Sequence, residues 1–281
     1  MEFRTQVDIT PSSWKIEPCE RMLFVGSCFA DNMGRRFGQE HFRTVTNPFG
    51  VMYNPASIWH TVERLMNEDA MPFVKEEQGT AVFTLGTNHV YILKETGEIV
   101  DNCQKRPQRL FEERELSIDE CADYLEKAIA LTGERFPRVR FILTVSPIRY
   151  RKYGFHGSQL SKSTLLLAIH NILMCHGKRA KDKPRNCETA YFPSFEIMND
   201  ELRDYRFYKE DMLHPTEQAV EYIYQRMAET YFSQETFDFL KAWKPIRDAL
   251  NHRPFNPDST EYKTFLEQTR EKEKALLRRY L

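Results

Sequence analysis

Two short segments of this chain carry groups suited to covalent chemistry. Gly26-Ser27-Cys28-Phe29-Ala30 places a hydroxyl and a thiol side by side. It follows the apolar run 21–25, so the pattern predicts a buried strand, a tight turn at Gly26 and a helix over about 28–37. A helix N-terminus offers free N–H groups and a positive dipole end, which stabilise a thiolate or an oxyanion. The same residues also suit a Ser helix cap followed by a buried Cys. The second segment is Asp211-Met212-Leu213-His214-Pro215-Thr216. An Asp three residues before a His can hold one ring nitrogen, leaving the other to take a proton from a nucleophile. A plain surface Asp–His pair is the competing reading.

Three further groups could support such a reaction. Gly86-Thr87-Asn88 follows the β-rich run 80–85. A Gly N–H and an Asn amide are donors of the kind found in oxyanion holes, although ordinary turns use the same residues. Gly50, closing Asn47-Pro48-Phe49-Gly50, could lend another N–H. Ser146-Pro147-Ile148-Arg149 ends the run 139–145, where Ser146 and Arg149 could meet an anionic substrate, although Arg149 suits a plain surface charge somewhat better. Ser161-Lys162 has the residue types of a Ser–Lys dyad but suits a helix cap better.

These groups need a scaffold. The pattern predicts strands over 21–25, 80–85, 90–93, 139–145 and 190–192. Helices are expected over 28–37, 56–66, 117–132, 161–175 and 215–232, the last with Pro215 in its first turn. Ser117 and Glu120 form a capping box for the third of these helices. Residues 178–186 read as a basic loop. Nearly unbroken apolar strands alternating with helices predict a largely parallel α/β sandwich. In such a sheet, ligands sit at the carboxyl ends of the strands, where Gly26, Gly86 and Ser146 fall.

Composition narrows the function. The 281 residues carry 40 basic and 41 acidic side chains, so no excess of positive charge invites nucleic acid. No apolar run is long enough to span a bilayer, and the N-terminus lacks a basic-then-apolar signal pattern, so the expected location is cytoplasmic. The six cysteines form no CxxC pair. Neither a disulfide scaffold nor a zinc ribbon is expected, and His89, Cys103 and His214 lack metal-ligand spacing. No Walker loop or glycine-rich dinucleotide turn is present, so no cofactor is expected.

The order of these motifs resembles the SGNH/GDSL hydrolases, and Gly26-Ser27-Cys28-Phe29-Ala30 resembles the GSCFA family within them. The resemblance extends to Asn47-Pro48-Phe49-Gly50, Tyr53-Asn54-Pro55, Leu85-Gly86-Thr87, Asn102-Cys103 with Lys105, Thr144-Val145-Ser146-Pro147 and Leu160-Ser161-Lys162. It continues through Tyr191-Phe192-Pro193-Ser194 and the segment 202–208 to Asp211-Met212-Leu213-His214-Pro215. It covers about 15–232. It implies a flavodoxin-like three-layer α/β/α sandwich and ester or acyl chemistry. It also implies Asp211 and His214 as the base pair, with Gly50 and Asn88 as oxyanion donors. Aligned on Gly26, the superfamily's Gly-Asp-Ser becomes Gly26-Ser27-Cys28, which puts Cys28 at the nucleophile's position. A shift of one residue would put Ser27 there instead. Adjacent residues at a helix start point differently, so only one can face His214.

The expected protein is an esterase or acyltransferase acting on a small or carbohydrate-linked acyl ester. Its hydrolase-like domain spans 1–232, and a helical extension packed on it spans 233–281. The alternative is a non-catalytic binding protein on the same fold. A redox-sensitive Cys28 is a third reading.

Overall fold

The computed structural model describes residues 4–174 and 187–281. Cys175 and the basic loop 178–186 lie outside the described residues. In chain order the elements are β1 (Arg21–Gly26), α1 (Cys28–Gly38), β2 (Arg43–Thr46), α2 (Pro55–Asn67), β3 (Gly79–Leu85), β4 (His89–Leu93), β5 (Ile99–Val100), β6 (Phe111–Glu115), α3 (Ile118–Arg135) and β7 (Val139–Val145). Then come α4 (Gly154–Met174), β8 (Thr189–Tyr191), the short α5 (Ser194–Glu196), α6 (Glu217–Tyr231), α7 (Gln234–Leu250) and α8 (Thr260–Leu277).

Five strands form one parallel sheet in the order β2-β1-β3-β7-β8. Numbered along the main sheet alone, this is the flavodoxin-like order 2-1-3-4-5. Alternate side chains enter opposite layers, as a two-residue period requires. Met22, Phe24, Val82 and Ile142 face α1 and α6, together with Trp14 and Ile16 from the N-terminal arm. Leu23, Val25, Ala81, Phe83, Phe141 and Leu143 face α2, α3 and α4. β3 and β7 are buried along their whole length, which is why 80–85 reads as a β-rich run and 139–145 as a nearly all-apolar one.

A second, antiparallel sheet, β5-β4-β6, stands apart from the first. β4 is foreseen in the sequence and β6 is not. β6 reads Phe111-Glu112-Glu113-Arg114-Glu115, with charges on successive residues, and three of its five residues are exposed. Such an edge gives no alternating apolar signal.

The helices start on their caps. Ser27, Asn54, Ser117, Thr216, Ser233 and Ser259 each accept a backbone N–H at the N-terminus of their helix. The Ser117–Glu120 capping box is reciprocal. Two boundaries differ from the sequence pattern. α4 begins at Gly154, because its first turns are polar and glycine-rich and give no apolar period. α6 begins after Thr216, so Pro215 lies outside the helix and pairs with Tyr208 in an isolated bridge.

The C-terminal helices dock on the amino-terminal end of the sheet domain. Phe239, Trp243 and Leu276 form a cluster with Cys19. Trp243 Nε1–H donates to Gln39 O at 3.0 Å, and Thr236 Oγ1 donates to Ile16 O at 2.7 Å. Among the described residues, no helix is long and apolar enough to cross a membrane.

Candidate functional site

The site is built on the turn that joins β1 to α1. Gly26 has φ +144°, and a Cβ there would lie 2.1 Å from Thr84 O, so only glycine fits. Its N–H donates to Asn47 Oδ1 at 2.8 Å, and its carbonyl accepts from Met52 N–H at 2.8 Å. The backbone leading to the two candidate nucleophiles is therefore held on both sides.

Ser27 and Cys28 then part company. Ser27 is buried and caps α1, with Oγ accepting from Phe29 N–H at 3.2 Å. The same hydroxyl donates to Ser146 Oγ at 2.9 Å and lies 3.2 Å from Thr84 Oγ1. Cys28 is only half-buried. It is the first residue of α1, where the backbone N–H has no intrahelical acceptor. Its Sγ lies 3.8 Å from Tyr53 Oη, within reach of a weak hydrogen bond.

Asp211 and His214 meet as the spacing predicts. Asp211 Oδ2 lies 2.6 Å from His214 Nδ1, while Oδ1 accepts N–H bonds from Leu213 at 2.9 Å and His214 at 3.0 Å. The backbone N–H groups of His214 and Leu213, and then the imidazole, hold the Asp211 carboxyl well below the usual carboxylate range. Nδ1 is thus positioned as the donor, which leaves Nε2 free as an acceptor. Met212 between them has φ +58°, a left-handed conformation that costs a side-chain-bearing residue about 1–2 kcal/mol. The loop is closed by Lys209 N–H to His214 O at 2.8 Å. Cys28 and the loop's flanking Tyr208 both pack against the large apolar cluster between the sheet, α1 and α6. Among the described residues, no hydrogen bond joins His214 to Cys28 or Ser27.

The supporting residues are placed differently from the sequence expectation. Gly50 N–H donates to Asn47 O at 2.9 Å and closes its own turn, so it is not free for an oxyanion. Asn88 is buried, and its amide donates to Leu116 O at 2.8 Å, tying the end of β3 to the small sheet. The N–H groups of Gly86 and Thr87 both donate to Tyr53 O, at 2.8 and 2.9 Å. Ser146 is fully buried, and its Oγ accepts from Ser27 at 2.9 Å. Arg149 Nη1 donates to Met212 O at 3.1 Å, so the expected anion-binding donor is engaged by the loop.

The sequence matches the GSCFA family over residues 21–78 and 74–227. The chain belongs to the GSCFA family. Residues 243–281 match a second family description, GSCFA domain protein, C-terminal domain, and these residues include the second half of α7 and all of α8. No curated protein matches the sequence. Among solved structures, this GSCFA chain resembles a carbohydrate esterase family 3 protein from Talaromyces cellulolyticus. That match has 9% identity and TM-score 0.43, covering 79% of this chain and 98% of the other. It also resembles a mutant acetyl-xylooligosaccharide esterase from Geobacillus Stearmophilus, with 11% identity and TM-score 0.42, covering 77% and 95%.

The GSCFA site also contains residues whose roles the motifs leave unstated. Asn47, at φ +41°, joins Gly26 N–H to Asp31, accepting from the one and donating to the other at 2.7 Å. Its place before Pro48 marks a turn, but nothing local reveals the partners 16 and 21 residues away. Tyr53 begins a run of rings beside Cys28. Tyr53 and Tyr150 are 6.0 Å apart, Tyr150 and Tyr153 5.5 Å, and Tyr153 stacks on His89 at 3.5 Å. Burial, followed by the Cys28 sulfur, raises the Tyr53 hydroxyl well above its ordinary range, so it remains a neutral donor. Lys162 is fully buried, and its Nζ donates to Ser146 O at 2.8 Å. Burial lowers its amine to about 7.

Proposed function

We propose that this GSCFA chain is an SGNH-like esterase or acyltransferase with Cys28 as nucleophile and Asp211–His214 as its base. The observation that carries the reading is the 2.6 Å Asp211–His214 bond, which leaves Nε2 open among the described residues, in a loop bonded to Arg149 just past the carboxyl end of β7. In the reaction, Cys28 Sγ attacks the acyl carbonyl carbon, and its proton passes to His214 Nε2. The N–H of Cys28, at the start of α1, is the donor best placed for the oxyanion, and the helix dipole adds to it. The C–O bond then breaks, and the leaving alcohol takes the proton from His214. Water or an acceptor hydroxyl attacks the thioester, giving its proton to Nε2, and Cys28 is released.

Ser27 is the weaker candidate because its hydroxyl is buried and already engaged by Phe29 and Ser146. The rings of Tyr53 and Tyr150 suit a small acyl group or the apolar face of a sugar. A second reading, a binding protein that leaves its ligand unchanged, is favoured by one observation. The two oxyanion donors expected outside the β1–α1 turn, Gly50 and Asn88, are both engaged elsewhere.

Labelling separates the readings. The protein is treated with iodoacetamide across a pH series and, separately, with a fluorophosphonate, and the modified residue is mapped by mass spectrometry. Rapid alkylation of Cys28, slowed in His214→Ala, with turnover of p-nitrophenyl acetate, is the expected result. Fluorophosphonate on Ser27 would transfer the role to the hydroxyl. Reaction at neither residue, with no turnover, would favour the binding protein.

A further inference from the structure

Arg149 makes two bonds to the loop that carries His214. Its backbone N–H donates to Leu213 O at 3.1 Å, and its Nη1 donates to Met212 O at 3.1 Å. The guanidinium lies over Phe155 at 4.2 Å, Tyr208 at 5.4 Å and Tyr205 at 5.9 Å. The loop's internal bonds, Met212 N–H to Lys209 O and Lys209 N–H to His214 O, set its shape. They do not set its place relative to Cys28. That place depends on what the loop is attached to.

Arg149 supplies such an attachment. It lies three residues after Ser146, whose N–H donates to Leu85 O at 2.8 Å and whose Oγ accepts from Ser27. One bonded path thus runs from the turn under Cys28, through Ser146 and Arg149, to the carbonyls of Met212 and Leu213 just before His214. Met212 is the residue with φ +58°, so the carbonyl that Arg149 holds belongs to the strained point of the loop. The chemistry favours arginine specifically. Its planar group can lie against aromatic rings and still direct an N–H at a carbonyl, whereas an ammonium is a compact, strongly hydrated charge.

We infer that Arg149 is a positioning residue, which latches the Asp211–His214 loop to the carboxyl end of β7 and so sets the base against Cys28. This rests on the proposed role of His214. It differs from the expectation that Arg149 receives an anionic substrate. The two make different predictions, because a latch acts on the rate of the bound complex and an anion receptor acts on binding.

Two variants test it. Arg149→Met keeps an aliphatic side chain against Phe155 and the backbone bond to Leu213 but removes the side-chain donors, and Arg149→Lys keeps the charge and one donor group. Hydrogen exchange of the peptide spanning 209–216 reads the latch without reference to catalysis, and p-nitrophenyl acetate kinetics read the positioning. The expected result for folded Arg149→Met is faster exchange in that peptide, with kcat reduced about 10- to 100-fold and KM nearly unchanged. Added guanidinium ion should restore part of the rate, and Arg149→Lys should fall between Arg149→Met and the parent. Unchanged exchange in Arg149→Met would overturn the guanidinium's part in the latch, and with it the positioning role, whatever the kinetics. A rise in KM with kcat unchanged would overturn it in favour of a role in substrate binding. A parent protein without turnover or Cys28 labelling would overturn the proposed function and the positioning role together, while the exchange result would still report the latch itself.

Discussion

The carboxyl end of the sheet has two storeys, and they treat polar side chains in opposite ways. The lower storey is a layer of Ser27, Thr84, Ser146 and Lys162, all buried and joined by Ser27 Oγ to Ser146 Oγ, Ser27 Oγ beside Thr84 Oγ1, and Lys162 Nζ to Ser146 O. The upper storey is the half-buried Cys28 and the 208–215 loop, where His214 Nε2 accepts from no donor among the described residues. In the sealed layer the hydroxyls are hydrogen-bonded to one another and to the turn. In the open storey the same kinds of groups keep one position vacant. Reactivity follows the unengaged atom more than the residue type.

The largest expected effect belongs to the upper storey. His214→Ala should reduce ester turnover about 100- to 10,000-fold, the range for loss of a general base. Its melting temperature should stay close to that of the parent, since the His214 side chain bonds only within its own exposed loop. A melting shift as large as that of a core mutant would contradict the division into storeys. So would full activity.

The next effect belongs to Lys162 in the sealed layer, and its sign can be worked out. Burial lowers its amine to about 7 in the folded protein, below the unfolded value near 10.5. Between those values the unfolded chain binds a proton that the folded chain does not, so this group makes stability rise with pH through that window. The limit is about 1.4 kcal/mol per pH unit. Lys162→Met should remove that slope. It should also leave the Ser146 carbonyl short of a donor, at roughly 1–3 kcal/mol, when the amine in the parent is neutral. Denaturant unfolding of both proteins at several pH values between about 7 and 10 gives the difference directly. Burial raises Cys19 to about 11 and Cys121 to about 12, and these groups titrate alike in both proteins, so their contribution cancels. Equal slopes would mean that Lys162 is hydrated or paired in solution.

The contrast between the storeys also explains what the sequence could and could not disclose. β1, β3 and β7 are legible because strands buried on both faces become apolar or β-rich runs. The Asp211–His214 pair is legible because both members lie within one turn, where spacing determines contact. Cys28 and Ser27 stay ambiguous at that level, since only the three-dimensional turn decides which side chain points into the layer. Gly50 and Asn88 have the right types for oxyanion donors, but composition says nothing about which donors are already engaged. Arg149 and Met212 are 63 residues apart, and no local pattern records their bond. β6 is hidden for a different reason, because an exposed edge strand rich in glutamate carries no apolar period.

Ser27→Ala sharpens the comparison at the smallest scale, because Ser27 and Cys28 are neighbours assigned to different storeys. Removing the hydroxyl leaves Phe29 N–H without its cap acceptor and Ser146 Oγ without the hydroxyl that donates to it. A lost helix cap typically costs about 1 kcal/mol, and a buried group left unpaired adds a cost of similar size. The expected loss of stability is therefore about 1–3 kcal/mol, read from the urea midpoint at an unchanged m-value. Turnover should remain within about threefold of the parent, since Gly26 stays clamped by Asn47 and Met52 and the Cys28 N–H is untouched. The opposite pattern, lost turnover with unchanged stability, would make Ser27 the nucleophile. The sealed layer would then have to open during the reaction, and Ser146 would have to release the Ser27 proton before His214 could receive it.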